Sequence, residues 1–183
     1  CIDALLSDFW KLDLSTDTWT PVPSMELNVA NIGNVPIGRN DASIVHVGER
    51  VFIGFGTNFD DLWEFNPQNE TWTYAGNYGI KAQFGIHTMT IGERVFIGLD
   101  KNDDFRFTSS INTAASSRAW FEFIPPDPGM TNGQLIEVQS LPDYSPRFRK
   151  LNFTFSMGDS GFLVGTNTNT ANTYIWQYVP NQN

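Results

Sequence analysis

The chain has 183 residues, 40% of them hydrophobic and 14% aromatic, which is enough apolar material for a buried core and excludes a disordered tail. Lys and Arg number 11 against 20 Asp and Glu, a formal net charge of −9 that repels phosphate backbones and anionic bilayers, so nucleic acid is not an expected partner. No apolar run approaches the ~20 residues of a transmembrane helix, no basic-then-apolar signal segment opens the chain, and the single cysteine excludes an intramolecular disulfide framework or a cysteine-rich zinc site.

Cys1 reads either as the lipid-bearing first residue of a mature lipoprotein or as an ordinary loop residue. The second is expected, because "DFWKLDL" looks like a strand only a few residues later, with no flexible polar tether between them. "DFWKLDLSTDTWT" at 8–20 aligns without a gap on "DLWEFNPQNETWT" at 61–73. Trp10 and Trp19 are nine apart, as are Trp63 and Trp72, and the Asp, Asn, Ser and Pro between them close hairpins. Each copy therefore predicts two strands joined by a turn. Ahead of the second copy stand "ASIVHV", the turn "GER" and "VFIGF", a strand apolar on both faces and suited to burial between neighbouring sheets. "GERVFIG" returns letter for letter at 92–98 after its first appearance at 48–54, and "MGDSGFLVG" at 157–165 is a weaker third copy. "AWFEFIP" at 119–125 and "YIWQYVP" at 174–180 repeat "DLWEFNP", the former with Phe121 in place of tryptophan.

Each unit is thus four antiparallel strands, and repetition at roughly 45–55 residues predicts the blades of a β-propeller, an all-β fold. The run from "RNDASIVHVGERVFIGFG" to "DLWEFNPQNETWT" resembles the kelch repeat, and in particular the divergent kelch-like propellers of bacterial cell envelopes. The resemblance assigns Arg39 to the basic position before the first strand. It assigns Gly54 and Gly56 to the glycines ending the second, Trp63 to the aromatic of the third and Trp72 to the tryptophan of the fourth. The family's double glycine is replaced by "GFG", "GLD" and "GTN", and no blade carries the Trp-Asp ending of WD repeats.

The chain divides as one propeller segment over 1–183: the end of one blade at 8–23, a blade at 39–76, a blade with a long insertion at 82–142 and an incomplete blade at 149–180. Its thirteen strands make about three to four blades, fewer whole ones than a closed ring of about four to eight needs. The expectation is part of a larger propeller or an incompletely closed one, with neighbouring blades or another chain against its ends.

The insertion is the most individual stretch, and long loops in repeat arrays gather on one face and carry recognition. Asp100, Asn102, Asp103, Asp104, Arg106 and Arg118 lie in it, with Tyr144 and Arg149 after the blade and Arg39 before the first full one; these are the candidate binding residues. Asp100, Asn102 and Asp104 begin like a calcium loop, but Phe105 stands where glycine is needed and Ile111 where the bidentate glutamate belongs, so no metal is expected. His46 and His87 stand two and five residues before their turn glycines, an odd difference that puts them on opposite sheet faces as strand residues. The copper radical oxidases built on kelch-like propellers need paired histidines and a tyrosine cross-linked to cysteine, and Cys1 is poorly placed for that. No catalytic residue and no cofactor is expected. The repeating Trp10, Trp19, Trp63, Trp72 and Trp176 read as blade-to-blade packing, and Tyr74, Tyr78 and Tyr144 as freer aromatics for a sugar platform. Asn69 and Asn152 open sequons in form.

Two functions follow. The first is a non-enzymatic, extracytoplasmic binding module of the cell envelope that recognises a protein or glycan through residues 99–118 and 125–134. The second is a carbohydrate-active enzyme, which the resemblance to periplasmic kelch-like sugar epimerases implies, with Arg39, Arg149 or an acidic residue at a central channel. The scarcity of convergent titratable residues favours the first.

Overall fold

The computed structural model of the chain describes residues 8–22, 38–57, 59–80, 86–100, 120–138, 150–167 and 171–181. Among them lie thirteen strands and no helix. β1 (Phe9–Asp13) and β2 (Thr18–Val22) form a hairpin, the first sheet. β3 (Ser43–Val47), β4 (Arg50–Gly54), β5 (Asp61–Asn66) and β6 (Thr71–Asn77) form the second. β7 (Ile86–Ile91), β8 (Arg94–Asp100), β9 (Trp120–Ile124) and β10 (Gln134–Glu137) form the third. β11 (Lys150–Met157), β12 (Ser160–Asn167) and β13 (Asn172–Tyr178) form the fourth. Every pairing is antiparallel between chain neighbours, so each sheet is a meander.

The "GERVFIG" copies explain themselves in this frame. Both are second strands of four-stranded sheets, with Phe52 and Phe96 buried on one face and Ile53 and Ile97 on the other. The preceding turns begin at Gly48, Gly92 and Gly158, all near φ +60°, where a side chain would strain the backbone of a two-residue hairpin turn.

Sheets two, three and four stand face to face through their first strands. Thr88 Oγ1 donates to the Ile44 carbonyl at 2.7 Å, and Thr154 Oγ1 donates to the Thr88 carbonyl at 2.9 Å. Both threonines hold the same register relative to their turns, so the two bonds are rungs of one ladder running across three sheets. Thr90 Oγ1 to the His46 carbonyl, 3.0 Å, and Ser43 Oγ to the Ile86 carbonyl, 2.7 Å, add further rungs between β3 and β7. Between the second and third sheets the core gathers Val45, Phe52, Phe55, Leu62, Tyr78, Val95, Ile97 and Phe123. Between the third and fourth it gathers Met89, Ile91, Phe96, Trp120 and Leu163, with Trp176 and Tyr178 packed against it. Gly161 faces Met89 and Ile91 so closely that a Cβ would overlap the Met89 side chain.

Each sheet has one face toward the following sheet and one toward the preceding sheet. Val45 and Met89, on following faces, are 1% and 4% exposed, whereas Phe155 at the same register of β11 is 42% exposed because no described sheet follows the fourth. The mirror case corrects the reading of the tryptophans as uniform inter-blade packing. Trp63 is 5% exposed, but Trp10 and Trp19 are 50% and 62% exposed, since they point to the preceding side of the first sheet, which no described sheet covers. Tyr78 is also no free aromatic: it is buried against Phe123, with ring centroids 5.5 Å apart. His46 is exposed and His87 buried, on opposite faces as their spacing demands.

Candidate functional site

The meander fixes where the connections emerge. In a four-stranded antiparallel unit the link between strands two and three leaves from the same end as the link from strand four to the next sheet. In the third sheet that end is marked by Ile86 opposite Asp100, Gly98 opposite Trp120, and the Val138 amide donating to the Trp120 carbonyl at 2.9 Å. Asp100 closes β8 there. Asn102, Asp103, Asp104, Arg106 and Arg118 fall between β8 and β9, and Tyr144 and Arg149 between β10 and β11, all outside the described residues. Of the second nominated loop, 125–134, the turn lies on the opposite end, between β9 and β10.

Arg39 is described in full, and its surroundings were not visible in the sequence pattern. It enters just ahead of β3 with a side chain only 1% exposed. Nη1 and Nη2 grip Asp61 Oδ1 and Oδ2 at 2.6 and 2.9 Å, and Nη1 also donates to the Phe55 carbonyl at 3.0 Å. The guanidinium carbon lies 4.5 Å from the centre of the Phe59 ring, and Trp63 Nε1 donates to Asp61 Oδ2 at 2.6 Å. The loop from Gly54 to Asp61 is shaped around this node. The Phe55 amide donates to the Asp61 carbonyl at 2.8 Å, and Gly56, at φ +94°, leaves room for the Asn40 carbonyl where a Cβ would collide. Burial pushes the Asp61 carboxyl up, but the hydrogen bonds from Arg39 and Trp63 and the guanidinium charge outweigh it and hold the group below the ordinary aspartate value. The indole half of the node recurs in the first sheet, where Trp10 Nε1 donates to Asp8 Oδ2 at 2.9 Å. As placed, Arg39 braces the second sheet and offers little surface to a ligand.

A second arrangement repeats from sheet to sheet. Arg50 at the start of β4 makes two 2.7 Å bonds to Glu64 on β5, and its Nη1 donates at 2.7 Å to the Pro126 carbonyl of the third sheet. Arg94 at the start of β8 makes two 2.7 Å bonds to Glu122 on β9, and its Nη1 donates at 2.8 Å to the Asn181 carbonyl of the fourth. Each arginine also lies over the phenylalanine two residues on, Phe52 at 4.9 Å and Phe96 at 5.3 Å. The bond from Arg94 and its positive charge, opposed by partial burial, hold the Glu122 carboxyl below its usual value. In the fourth sheet the pair becomes neutral, with Gln177 Nε2 donating to Ser160 Oγ at 2.9 Å. Beside the Arg94 pair opens a cleft of about 410 Å³ bordered by Ile136, Glu137, Val138, Tyr178 and Val179. Sequence reading missed both arginines; the signal was present in the Arg of each "GER" and the Glu of "DLWEF" and "AWFEF".

Among the described residues no group of three or more His, Cys, Asp or Glu side chains could hold a metal ion. Tyr74 is half-buried and donates to Asn77 Oδ1 at 2.7 Å, and Asn69 sits exposed in the β5–β6 turn.

Comparison with known proteins agrees with the geometry. The family described as Kelch motif matches residues 3–26, the stretch that holds β1 and β2. The fold is similar to that of YjhT, a kelch-type β-propeller, with a TM-score of 0.56 and 13% sequence identity over 95% of this chain. The chain spans 59% of the length of YjhT. No curated protein matches the sequence. The fold is thus that of a kelch-type β-propeller, and the described residues are all-β, in four antiparallel sheets that do not close on one another.

Proposed function

We propose that this kelch-type propeller segment is a non-enzymatic binding module of the cell envelope, working outside the cytoplasm and recognising a protein or a glycan. The observation that carries the reading is topological. Seven of the nine nominated residues belong to connections that start and finish at the same end of the sheets, Asp100 closes β8 at that end, and Arg39 precedes β3 there. Loops presented together by a rigid scaffold are the usual site of recognition. The described arginines are ion-paired within their own sheets, Arg39 with Asp61, Arg50 with Glu64 and Arg94 with Glu122, which suits a scaffold whose contacts come from its connections. The net charge of −9 favours a neutral or basic ligand surface.

The test replaces residues 101–119 by a four-residue turn and compares the two proteins on a glycan array and against immobilised envelope proteins. The expected result is an unchanged β-type circular dichroism spectrum with binding lost. An array ligand bound equally by both proteins would contradict the reading, and sugar turnover abolished by Arg149→Ala would replace it with the carbohydrate-active one.

A further inference from the structure

The "NETWT" stretch of the second sheet holds a motif that the binding reading leaves unused. Asn69, Glu70 and Thr71 form an Asn-X-Thr sequon, and a second one starts at Asn152. Asn69 falls in the turn of residues 67–70, which joins Asn66, the last residue of β5, to Thr71, the first of β6. Residues 66–69 and Thr71 are exposed. Asn69 Oδ1 accepts two hydrogen bonds, from the Thr71 hydroxyl at 2.6 Å and from the Thr71 amide at 3.3 Å. A backbone N–H can only donate, so these bonds settle that the oxygen of the Asn69 carboxamide faces the turn. Its Nδ2 stands free of partners among the described residues.

The matching turn of the first sheet shows that the hairpin does not require the asparagine. Asp13 Oδ1 accepts from the Ser15 amide at 2.8 Å as Asn66 Oδ1 accepts from the Gln68 amide at 2.9 Å, and Asp17 and Glu70 both stand at φ +54°. Thr16 takes the place of Asn69 there, its hydroxyl 2.7 Å from that of Thr18. The sequon therefore rides on a turn that builds itself without it. Asn152 differs on both counts. It lies inside β11, whose backbone is paired with β12, and the hydroxyl of its sequon, Thr154 Oγ1, is committed to the Thr88 carbonyl of the third sheet at 2.9 Å.

We propose that Asn69 is an acceptor site for an N-linked glycan, open to a transferase in the folded chain, and that Asn152 is not. Asn69 Nδ2 attacks the anomeric carbon of a sugar carried on a polyprenyl diphosphate. The carbon–nitrogen bond forms as the bond from that carbon to the phosphate oxygen breaks; the lipid diphosphate leaves with the electron pair, and the amide gives up one proton to the transferase. The β5–β6 turn lies at the end of the sheets opposite the β8–β9 and β10–β11 connections, so a glycan there leaves the recognition loops clear. The proposal rests on the extracytoplasmic reading only for where the chain meets its sugar donor.

The test incubates the folded 183-residue chain with a purified single-subunit oligosaccharyltransferase and a polyprenyl-diphosphate-linked oligosaccharide, with occupancy read by intact mass and peptide mapping. Synthetic peptides copying residues 64–74 and 147–157 report acceptance without the fold. The expected result is that both peptides are accepted, while the folded chain is modified at Asn69 with Asn152 at least tenfold less occupied. Thr71→Ala should lower occupancy of Asn69 at least tenfold, and Thr16→Asn, which completes a sequon on the equivalent turn of the first sheet, should add a second glycan. A folded chain left bare while the 64–74 peptide is accepted, refusal of that peptide, or a glycan on Asn152 in preference to Asn69 would each overturn the proposal. Because enzyme and donor are both supplied, the outcome does not depend on compartment, and fractionation of the source cells tests the extracytoplasmic reading separately.

Discussion

Arg39 is buried with Asp61 meeting it through both oxygens, and Asp61 in turn is steered by the Trp63 indole. Removing the carboxylate would take from the buried guanidinium the two charge-assisted bonds that Asp61 supplies, a change that costs about 3 kcal/mol in comparable buried pairs. Asp61→Asn should therefore lower stability by about that amount in urea unfolding, while Asp8→Asn, at the exposed copy of the indole bond, should change it by less than about 0.5 kcal/mol. The acid dependence follows in sign. Folding lowers the Asp61 carboxyl below its ordinary value, so its stabilisation is complete above that value and drains away as pH falls through the lowered one. Glu122 is lowered too and adds to the same slope. Stability measured from about pH 5 downward should fall less steeply in Asp61→Asn than in the wild type; parallel profiles would show that the pair does not carry the effect. Arg39 was legible in the sequence through its place before the first strand of the repeat. Its partner was not, because no linear pattern records that the loop from Gly54 to Asp61 folds back over it.

At the level of the strand, legibility was high wherever a segment repeats. "GERVFIG" and "DLWEF" carry both the alternation that buries two faces and the turn glycine that sets register, so β4, β5, β8 and β9 were readable from their copies alone. What the copies concealed was the ion pair inside them, since a charged residue at a strand start reads as solvated until its cross-strand neighbour is known. Trp10 and Trp19 mark the opposite limit: a strand pattern tells which face a side chain takes, not whether another sheet covers that face. The Arg50 link joins two strands of its own sheet and the backbone of the next one. Arg50→Ala should destabilise the chain by about 2 kcal/mol, the scale of charge-assisted hydrogen bonds at a partly exposed site, and should speed amide exchange at Asn132 and along β10. Ser160→Ala, which removes only the neutral counterpart in the fourth sheet, should cost under about 1 kcal/mol. Equal effects of the two substitutions would remove the arginine link from the account.

On the scale of the whole molecule, the sheets stack with a constant polarity, each following face against the next preceding face. The repetition of the ladder from Thr154 through Thr88 to Ile44 expresses that polarity in hydrogen bonds. Two faces of the stack remain bare among the described residues. One presents Trp10, Leu12 and Trp19, the other Phe153, Phe155, Met157 and Ile175, all exposed. At about 25 cal/mol per Å², several hundred Å² of uncovered apolar surface forfeits on the order of 10 kcal/mol, comparable to a domain's whole stability. Faces of this kind are association surfaces. That stacking polarity is the central claim, and sedimentation velocity of the 183-residue chain across a hundredfold range of concentration tests it most directly. The account predicts concentration-dependent association that Trp19→Asp and Phe155→Asp each weaken and together abolish; a well-folded monomer at every concentration would contradict it.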